Sequence, residues 1–138
     1  MKASPARPAR RKATPVVTLN VVDSSGWLEY FAGTDRADLF AQTIEDTVHL
    51  VVPVVTLYEV FKKVRRERDE HTALLIAAQM QQGRVLPVDA ELSLHAATLG
   101  LPLADSLIYA TCLREGATLW TQDAHFDGLA GVRYFAKA

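Results

Sequence analysis

A run of β-branched residues that ends abruptly in an acid constrains this sequence more than any other feature. Residues 16–22 are mostly apolar, Asp23 follows them directly, and an apolar pattern with helical spacing begins at Trp27. This order predicts a buried strand followed by a helix, with Asp23 at the carboxyl end of the strand. In open α/β sheets, that end of the strands forms the edge at which ligands bind.

Short apolar runs continue to alternate with helical patterns along the chain. Further strands are predicted at residues 48–52, 85–88, 117–120 and 132–135. Helices are predicted at about 25–32, from Thr34 or Asp35 through Ile44, from Pro53 past Val64, at 71–82, at 90–99, and from Pro102 to just before Gly116. Ser24 or Ser25 is the expected cap of the first helix, and Leu103 is expected to point inward. The alternation implies a three-layer α/β/α domain with a central parallel sheet.

Length and charge divide the chain into two predicted regions, a disordered basic tail at residues 1–15 and one folded domain at residues 16–138. The tail carries five basic residues and no acid, whereas residues 16–138 carry 10 basic and 16 acidic residues. Such an acidic body lacks the basic face of a general nucleic-acid-binding protein and suits one that gathers carboxylates around a metal. A single cysteine, Cys112, and the lack of a secretion signal or membrane-spanning run indicate a cytoplasmic protein.

Four acids stand at the ends of predicted elements or beside apolar runs: Asp23, Glu59, Asp105 and Asp123. Each of them alone has a structural explanation. Asp23 can cap a helix and Asp105 can favour a helix dipole, whereas Asp123 can shape a turn. Glu59 can lie at the rim of an apolar helical stripe. Three of the four nevertheless follow strands or open a helix on one predicted edge of the sheet, so we expect all four to share a pocket.

Convergence of these acids would require a cation or protonation. Two carboxylates about 5 Å apart repel by roughly 3 kcal/mol at an effective dielectric constant near 20. Hard oxygen ligands without His or Cys suit Mg²⁺ or Mn²⁺ better than zinc. The four histidines show no metal-ligand spacing, and His125, although close to Asp123, is interpreted as a surface residue.

At these residues the chain resembles the PIN-domain ribonucleases and, among them, the VapC-type toxins of bacterial toxin–antitoxin pairs. The motifs that carry the resemblance are VVDSS (21–25), WLEY (27–30), TLYEV (56–60), LADSLIYA (103–110) and TQDAHF (121–126). The family pattern makes Asp23, Glu59 and Asp105 the core acids and Asp123 a more variable fourth. Thr121 matches a hydroxyl position beside that fourth acid, and Ser25 belongs to the first motif as a further secondary residue.

The resemblance implies a metal-dependent endoribonuclease that acts on single-stranded or looped RNA. In this interpretation Asp23, Asp105 and Asp123 hold one or two Mg²⁺ or Mn²⁺ ions, and Glu59 binds a second ion or orients the attacking water. The resemblance also implies a cognate antitoxin, which would block the acidic groove with Arg or Lys, and a homodimer.

Two alternatives use the same residues differently. A receiver-like phosphotransfer domain also places acids at strand ends, but it needs a lysine after a late strand, and no lysine occurs between Lys63 and Lys137. A non-catalytic RNA-binding module with this fold would not need all four acids. The basic run at residues 62–68 is most simply a solvated helix end with ion pairs, although a phosphate-contact role stays open.

Overall fold

The computed structural model describes residues 17–137, which form five short strands and six α-helices. The strands are Asn20–Val22 (β1), Val51–Pro53 (β2), Arg84–Leu86 (β3), Thr118–Thr121 (β4) and Val132–Tyr134 (β5). The helices are Ser24–Ala32 (α1), Asp38–Glu45 (α2), Val54–Glu67 (α3), Glu70–Met80 (α4), Ala90–Ala97 (α5) and Leu103–Glu115 (α6). The predicted disordered tail, residues 1–15, lies outside the described residues.

All strand pairings are parallel, and β1 lies at the centre of the sheet. β1 pairs with β4, where Asn20 lies opposite Thr118, and β4 pairs in turn with β5. β2 pairs with β3, and a single parallel bridge between Asn20 and Leu50 joins this pair to β1. The strand order is therefore β3-β2-β1-β4-β5, and the carboxyl ends of all five strands meet at one edge.

Helices cover both faces of this sheet, which confirms the predicted three-layer α/β/α class. Val22 packs with residues of α1 to α4, among them Trp27 and Phe40. Val21 points the opposite way and packs with α6, including Ile108 and Cys112. Because side chains alternate along a strand, these two valines anchor two separate helical layers. Between residues 17 and 137, no helix combines the length and the apolar character that crossing a membrane requires.

Several predicted boundaries and one predicted orientation were wrong. β1 begins at Asn20 because its neighbour β4 begins opposite that residue, and Val17 is exposed. α2 begins at Asp38, not at Thr34 or Asp35, because the Thr34 hydroxyl accepts from the Arg36 N–H and shapes a turn. Two residues predicted within a strand or a core face are instead exposed: Val48, which lies in the 3₁₀ turn Thr47–His49, and Leu103.

The start of α1 packs closely against β1 and α2. Asp23 caps this helix by accepting from the Gly26 N–H, which was the structural explanation considered for this acid, whereas the predicted Ser24 or Ser25 cap was wrong. A Cβ on Gly26 would lie 2.6 Å from Val22 Cγ1 and 2.8 Å from Phe40 Cδ1. The absence of a side chain at Gly26 therefore lets α1 begin directly against β1 and α2.

Replacing Gly26 with alanine should destabilise the protein by about 1–3 kcal/mol, because the added methyl group overpacks a fixed core. Urea denaturation measures this change. Ser93→Ala, on an exposed face of α5, is the matched control and should change stability by no more than about 0.5 kcal/mol. Equal stability of the Gly26→Ala and parent proteins would show that α1 can shift freely against β1.

Candidate active site

The two central strands, β1 and β4, carry predicted acids at their adjacent carboxyl ends. Asp23 follows β1 directly, and its backbone N–H donates to the Trp120 carbonyl of β4 at 3.2 Å. Asp123 stands two residues beyond the end of β4. A cavity of about 1040 Å³ opens at this edge, and all four predicted acids line it: Asp23, Glu59, Asp105 and Asp123. Their roles in catalysis and metal binding stay predictions.

Asp23 is a buried carboxylate held by three donors. Its Oδ1 accepts from the Ser25 hydroxyl at 2.9 Å and from the Gly26 N–H at 3.1 Å, and its Oδ2 accepts from the Thr121 hydroxyl at 2.7 Å. Only 4% of Asp23 is exposed. Loss of hydration outweighs these hydrogen bonds and raises the pKa of Asp23 to about 6. The orientation of the side chain is fixed, but its charge is poorly compensated by protein groups.

Thr121 connects the ends of the two central strands. Its hydroxyl donates to Asp23 and accepts from the Asp123 backbone N–H at 2.9 Å. Thr121 is completely buried, so this geometry is shielded from competing water. Both predicted secondary residues, Thr121 and Ser25, thus contact Asp23 and are placed to orient it.

Asp105 and Asp123 form a second group together with His125. Asp105 lies in the first turn of α6, and its Oδ2 is 2.8 Å from His125 Nδ1. The same nitrogen is 3.3 Å from Asp123 Oδ1. One ligand atom from each of the three residues lies within 4.8 Å of the other two. His125 is exposed, as the sequence predicted, but its contact with both acids was missed.

The charges in this group change the titration of its members. Burial, followed by repulsion from Asp123, raises the pKa of Asp105. The hydrogen bond to Asp105, followed by the charge of Asp123, raises the pKa of His125. Protonation of the imidazole is therefore favoured by its contacts with the two carboxylates. The signal in the sequence was the spacing of two residues between Asp123 and His125, which the short 3₁₀ turn Ala124–Phe126 converts into proximity.

Glu59 reaches the cavity from α3, on a different wall from the other acids. It is partly buried, and its Oε1 accepts from the Ser24 hydroxyl at 2.5 Å. Ser24 thereby links the first turn of α1 to α3. In the sequence, Ser24 is predicted only as a possible helix cap, because a contact between residues 35 positions apart leaves no local signal. Neither Glu59 nor Asp23 belongs to the compact group around His125.

A buried amide network holds the loop after β4, and sequence reasoning also missed it. Gln122 is 4% exposed and donates from Nε2 to Glu29 Oε2 at 2.6 Å. Arg36 donates from Nε to Gln122 Oε1 at 2.5 Å and from Nη2 to the Phe135 carbonyl at 3.0 Å. The Gln122 hydrogen bond is the main reason that the pKa of Glu29 is lowered. The network holds Gln122 in place and thereby positions the backbone that leads into Asp123.

The donor set at this cavity fits a hard divalent cation. It offers carboxylate oxygens from four segments of the chain, and one of these carboxylates, Asp23, lacks a compensating positive charge in its buried setting. A dication beside these groups would favour their ionised forms. In the compact group, the Nδ1 of His125 adds a nitrogen donor to the oxygens of Asp105 and Asp123.

A family model described as the PIN domain matches residues 21–132. The chain therefore belongs to the PIN-domain family, as the sequence motifs indicated. This assignment replaces the receiver-like alternative, because the matched region contains all four acids that line the cavity.

Solved structures share this fold at low sequence identity. A toxin–antitoxin complex from Klebsiella pneumoniae matches with a TM-score of 0.72 and 17% identity, covering 86% of this chain and 99% of that chain. VapC20 from Mycobacterium tuberculosis, a sarcin–ricin loop cleaving toxin, matches with a TM-score of 0.68 and 20% identity, covering 82% and 96%. VapBC2 from Rickettsia felis, bound to a DNA fragment from its promoter, matches with a TM-score of 0.64 and 11% identity, covering 86% and 98%. Comparison with the sequences of curated proteins gives no match.

The raised pKa of Asp23 should make stability depend on pH in the absence of divalent cations. A raised folded-state pKa favours the protonated form. The contribution of Asp23 to the free energy of unfolding is therefore fully present below about pH 4 and is lost as the pH rises through about 6. Relative to Asp23→Asn, the parent protein should lose up to roughly 3 kcal/mol between pH 4 and pH 7. Urea denaturation with a chelator measures the difference at each pH.

The exposed Asp127 supplies a matched control for this experiment. The stability difference between Asp127→Asn and the parent, measured at each pH, is the baseline for the Asp23→Asn difference. An Asp23→Asn difference that follows this baseline at every pH would contradict the assignment of an elevated pKa to Asp23.

Proposed function

We propose that this protein is a metal-dependent endoribonuclease and the toxin of a toxin–antitoxin pair. The observation that carries the proposal is the arrangement of four carboxylates around one cavity at the carboxyl edge of the sheet, with Asp23 buried among them. Membership of the PIN-domain family and the fold shared with VapC20 support the same reaction class.

The proposed roles follow from where the side chains lie. Asp23, Asp105 and Asp123 would hold one or two Mg²⁺ or Mn²⁺ ions, and Thr121 and Ser25 keep Asp23 in its orientation. The bound metal would polarise the scissile phosphate and stabilise the charge that develops on its oxygens. Glu59 would orient the attacking water or accept its proton, and the Ser24 hydroxyl holds Glu59 in place for that task.

The same acidic cavity would receive an inhibitory partner. The structure from Klebsiella pneumoniae is a toxin–antitoxin complex, and a further match is VapBC from Salmonella typhimurium bound to DNA. For this chain we propose a cognate antitoxin that inserts an arginine or lysine between the carboxylates in place of the metal. A homodimer and a cytoplasmic location belong to the same proposal.

Replacing Asp23 with asparagine should lower the rate of RNA cleavage by about 100-fold or more, because one ligand and its charge are lost. Glu59→Gln and Asp105→Asn should act in the same direction. The assay follows cleavage of total RNA with Mg²⁺ or Mn²⁺ and again with a chelator. Asp127→Asn is the control and should cleave like the parent protein.

Two results of this assay would overturn parts of the proposal. Cleavage that persists both with chelator and in Asp23→Asn would remove the metal-dependent mechanism. If no RNA is cleaved under any of these conditions, the non-catalytic binding module becomes the better description.

Metal binding should also be visible without cleavage, through the pKa of His125. A cation that occupies Asp105 and Asp123 removes the charges that raise the pKa of this histidine. NMR titration of the His125 ring should therefore show a lower pKa with Mg²⁺ than with chelator. The ring signals of His49, which pairs with Asp46, serve as an internal reference in the same spectra. An unchanged His125 pKa would place the metal elsewhere.

A further inference from the structure

Basic side chains from the end of α3 line the same cavity as the acids. They are Lys62, Lys63, Arg66 and Arg68. Residues 16–138 have more acidic than basic side chains, so the body of the protein repels a polyanion. An RNA that reaches the carboxylates must therefore be held by local positive charge. Among the described residues, this end of α3 is the basic segment that borders the cavity most densely.

Among the four, Lys62 and Arg68 form no ion pair within the described residues, and Lys62 is the one that contacts an aromatic side chain. Lys63 pairs with Glu67 at 2.9 Å, and Arg66 lies 3.9 Å from the same carboxylate. Lys62 forms no ion pair with any residue between 17 and 137. Its Nζ instead lies 3.3 Å from the Tyr58 hydroxyl and 5.5 Å from the centre of the Tyr58 ring.

Tyr58 is an unusual side chain for this position on the surface. Its exposed fraction is 61%, and it is the only exposed aromatic residue in the part of the chain described here. It precedes Glu59 directly and lines the same cavity. The exposed surface of a helix does not require an aromatic side chain, because a polar side chain is equally compatible with that position. An exposed aromatic face is instead suited to stacking against an unpaired base, a contact worth several-fold to more than a hundredfold in affinity.

We propose that Tyr58 and Lys62 form a binding subsite for single-stranded RNA, an inference that rests on the proposed nuclease function. The Tyr58 ring stacks on an unpaired base that flanks the phosphate at the carboxylates, and Lys62 contacts a neighbouring phosphate. Bases within a duplex are stacked on each other and cannot offer a face to Tyr58. The pair thereby selects unpaired segments over helical RNA.

Fluorescence anisotropy with two labelled 12-nucleotide probes separates stacking from charge. One probe is an unstructured single-stranded RNA, and the other has the same backbone with the bases removed. Both are measured with Mg²⁺ in the Asp23→Asn protein, so that cleavage does not interfere. Tyr58→Ala should weaken binding of the base-bearing probe about tenfold, equivalent to about 1.4 kcal/mol, and leave the abasic probe unchanged.

Three further variants separate the contribution of the Lys62 charge from that of the Tyr58 ring. Lys62→Gln should weaken binding of both probes and reduce the slope of log K against log salt by about 0.7, the value for one phosphate contact on a single strand. Tyr58→Phe keeps the ring and should bind like the parent. Leu94→Ala removes an exposed apolar side chain outside the cavity and should have no effect. Circular dichroism checks that each variant is folded.

Equal losses on the two probes would overturn the stacking role, because Tyr58 would then act only by placing Lys62. No loss on either probe would also overturn it and leave the ring for contact with a protein partner.

Steady-state kinetics of RNA cleavage, measured without the Asp23→Asn substitution, separate this inference from the proposed function. If the protein cleaves RNA, Tyr58→Ala should raise KM about tenfold and change kcat little. If the protein cleaves no RNA, the nuclease proposal fails, and the probe measurements still decide whether Tyr58 stacks on bases. Cleavage with an unchanged KM in Tyr58→Ala would overturn the inference and leave the nuclease proposal standing.

Discussion

The site depends on one buried carboxylate whose charge the protein only partly compensates. Asp23 ends the central strand, caps α1 and accepts a hydrogen bond from Thr121 on the neighbouring strand. Burial nevertheless raises its pKa to about 6, so protein hydrogen bonds do not balance the loss of water. The folded protein therefore lacks positive charge beside Asp23, and the other acids line the same cavity. A cation, or the positive side chain of a partner, would supply this charge.

Residues near one another in the chain made the architecture predictable. The layer class and the parallel sheet follow from the alternation of short apolar runs with helical patterns. The motifs around Asp23 and Asp105 identified the family, which the match to residues 21–132 bears out. Boundaries were less predictable, because β1 begins where β4 offers a partner, and the sequence around Val17 carries no information about that partner.

The contacts that surround the acids were harder to predict, since most of them join distant parts of the chain. Ser24 meets Glu59 across two helices, and Arg36 meets Gln122 across 86 positions. Neither contact leaves a periodic or local pattern. His125 is different, because it lies only two residues from Asp123. The contact of its ring with Asp105 and Asp123 was missed because the spacing rules for metal ligands do not describe a 3₁₀ turn that directs both side chains toward α6.

The register of the central sheet also has a consequence during synthesis. Asp23 enters its final environment only when Thr121 is available, and β1 gains this neighbour through a pairing that spans about 100 residues. A contact of such long range forms late in folding. A growing polypeptide that has not yet produced β4 therefore lacks the complete cavity. Whatever chemistry the cavity performs can begin only after residues Thr118–Thr121 have left the ribosome.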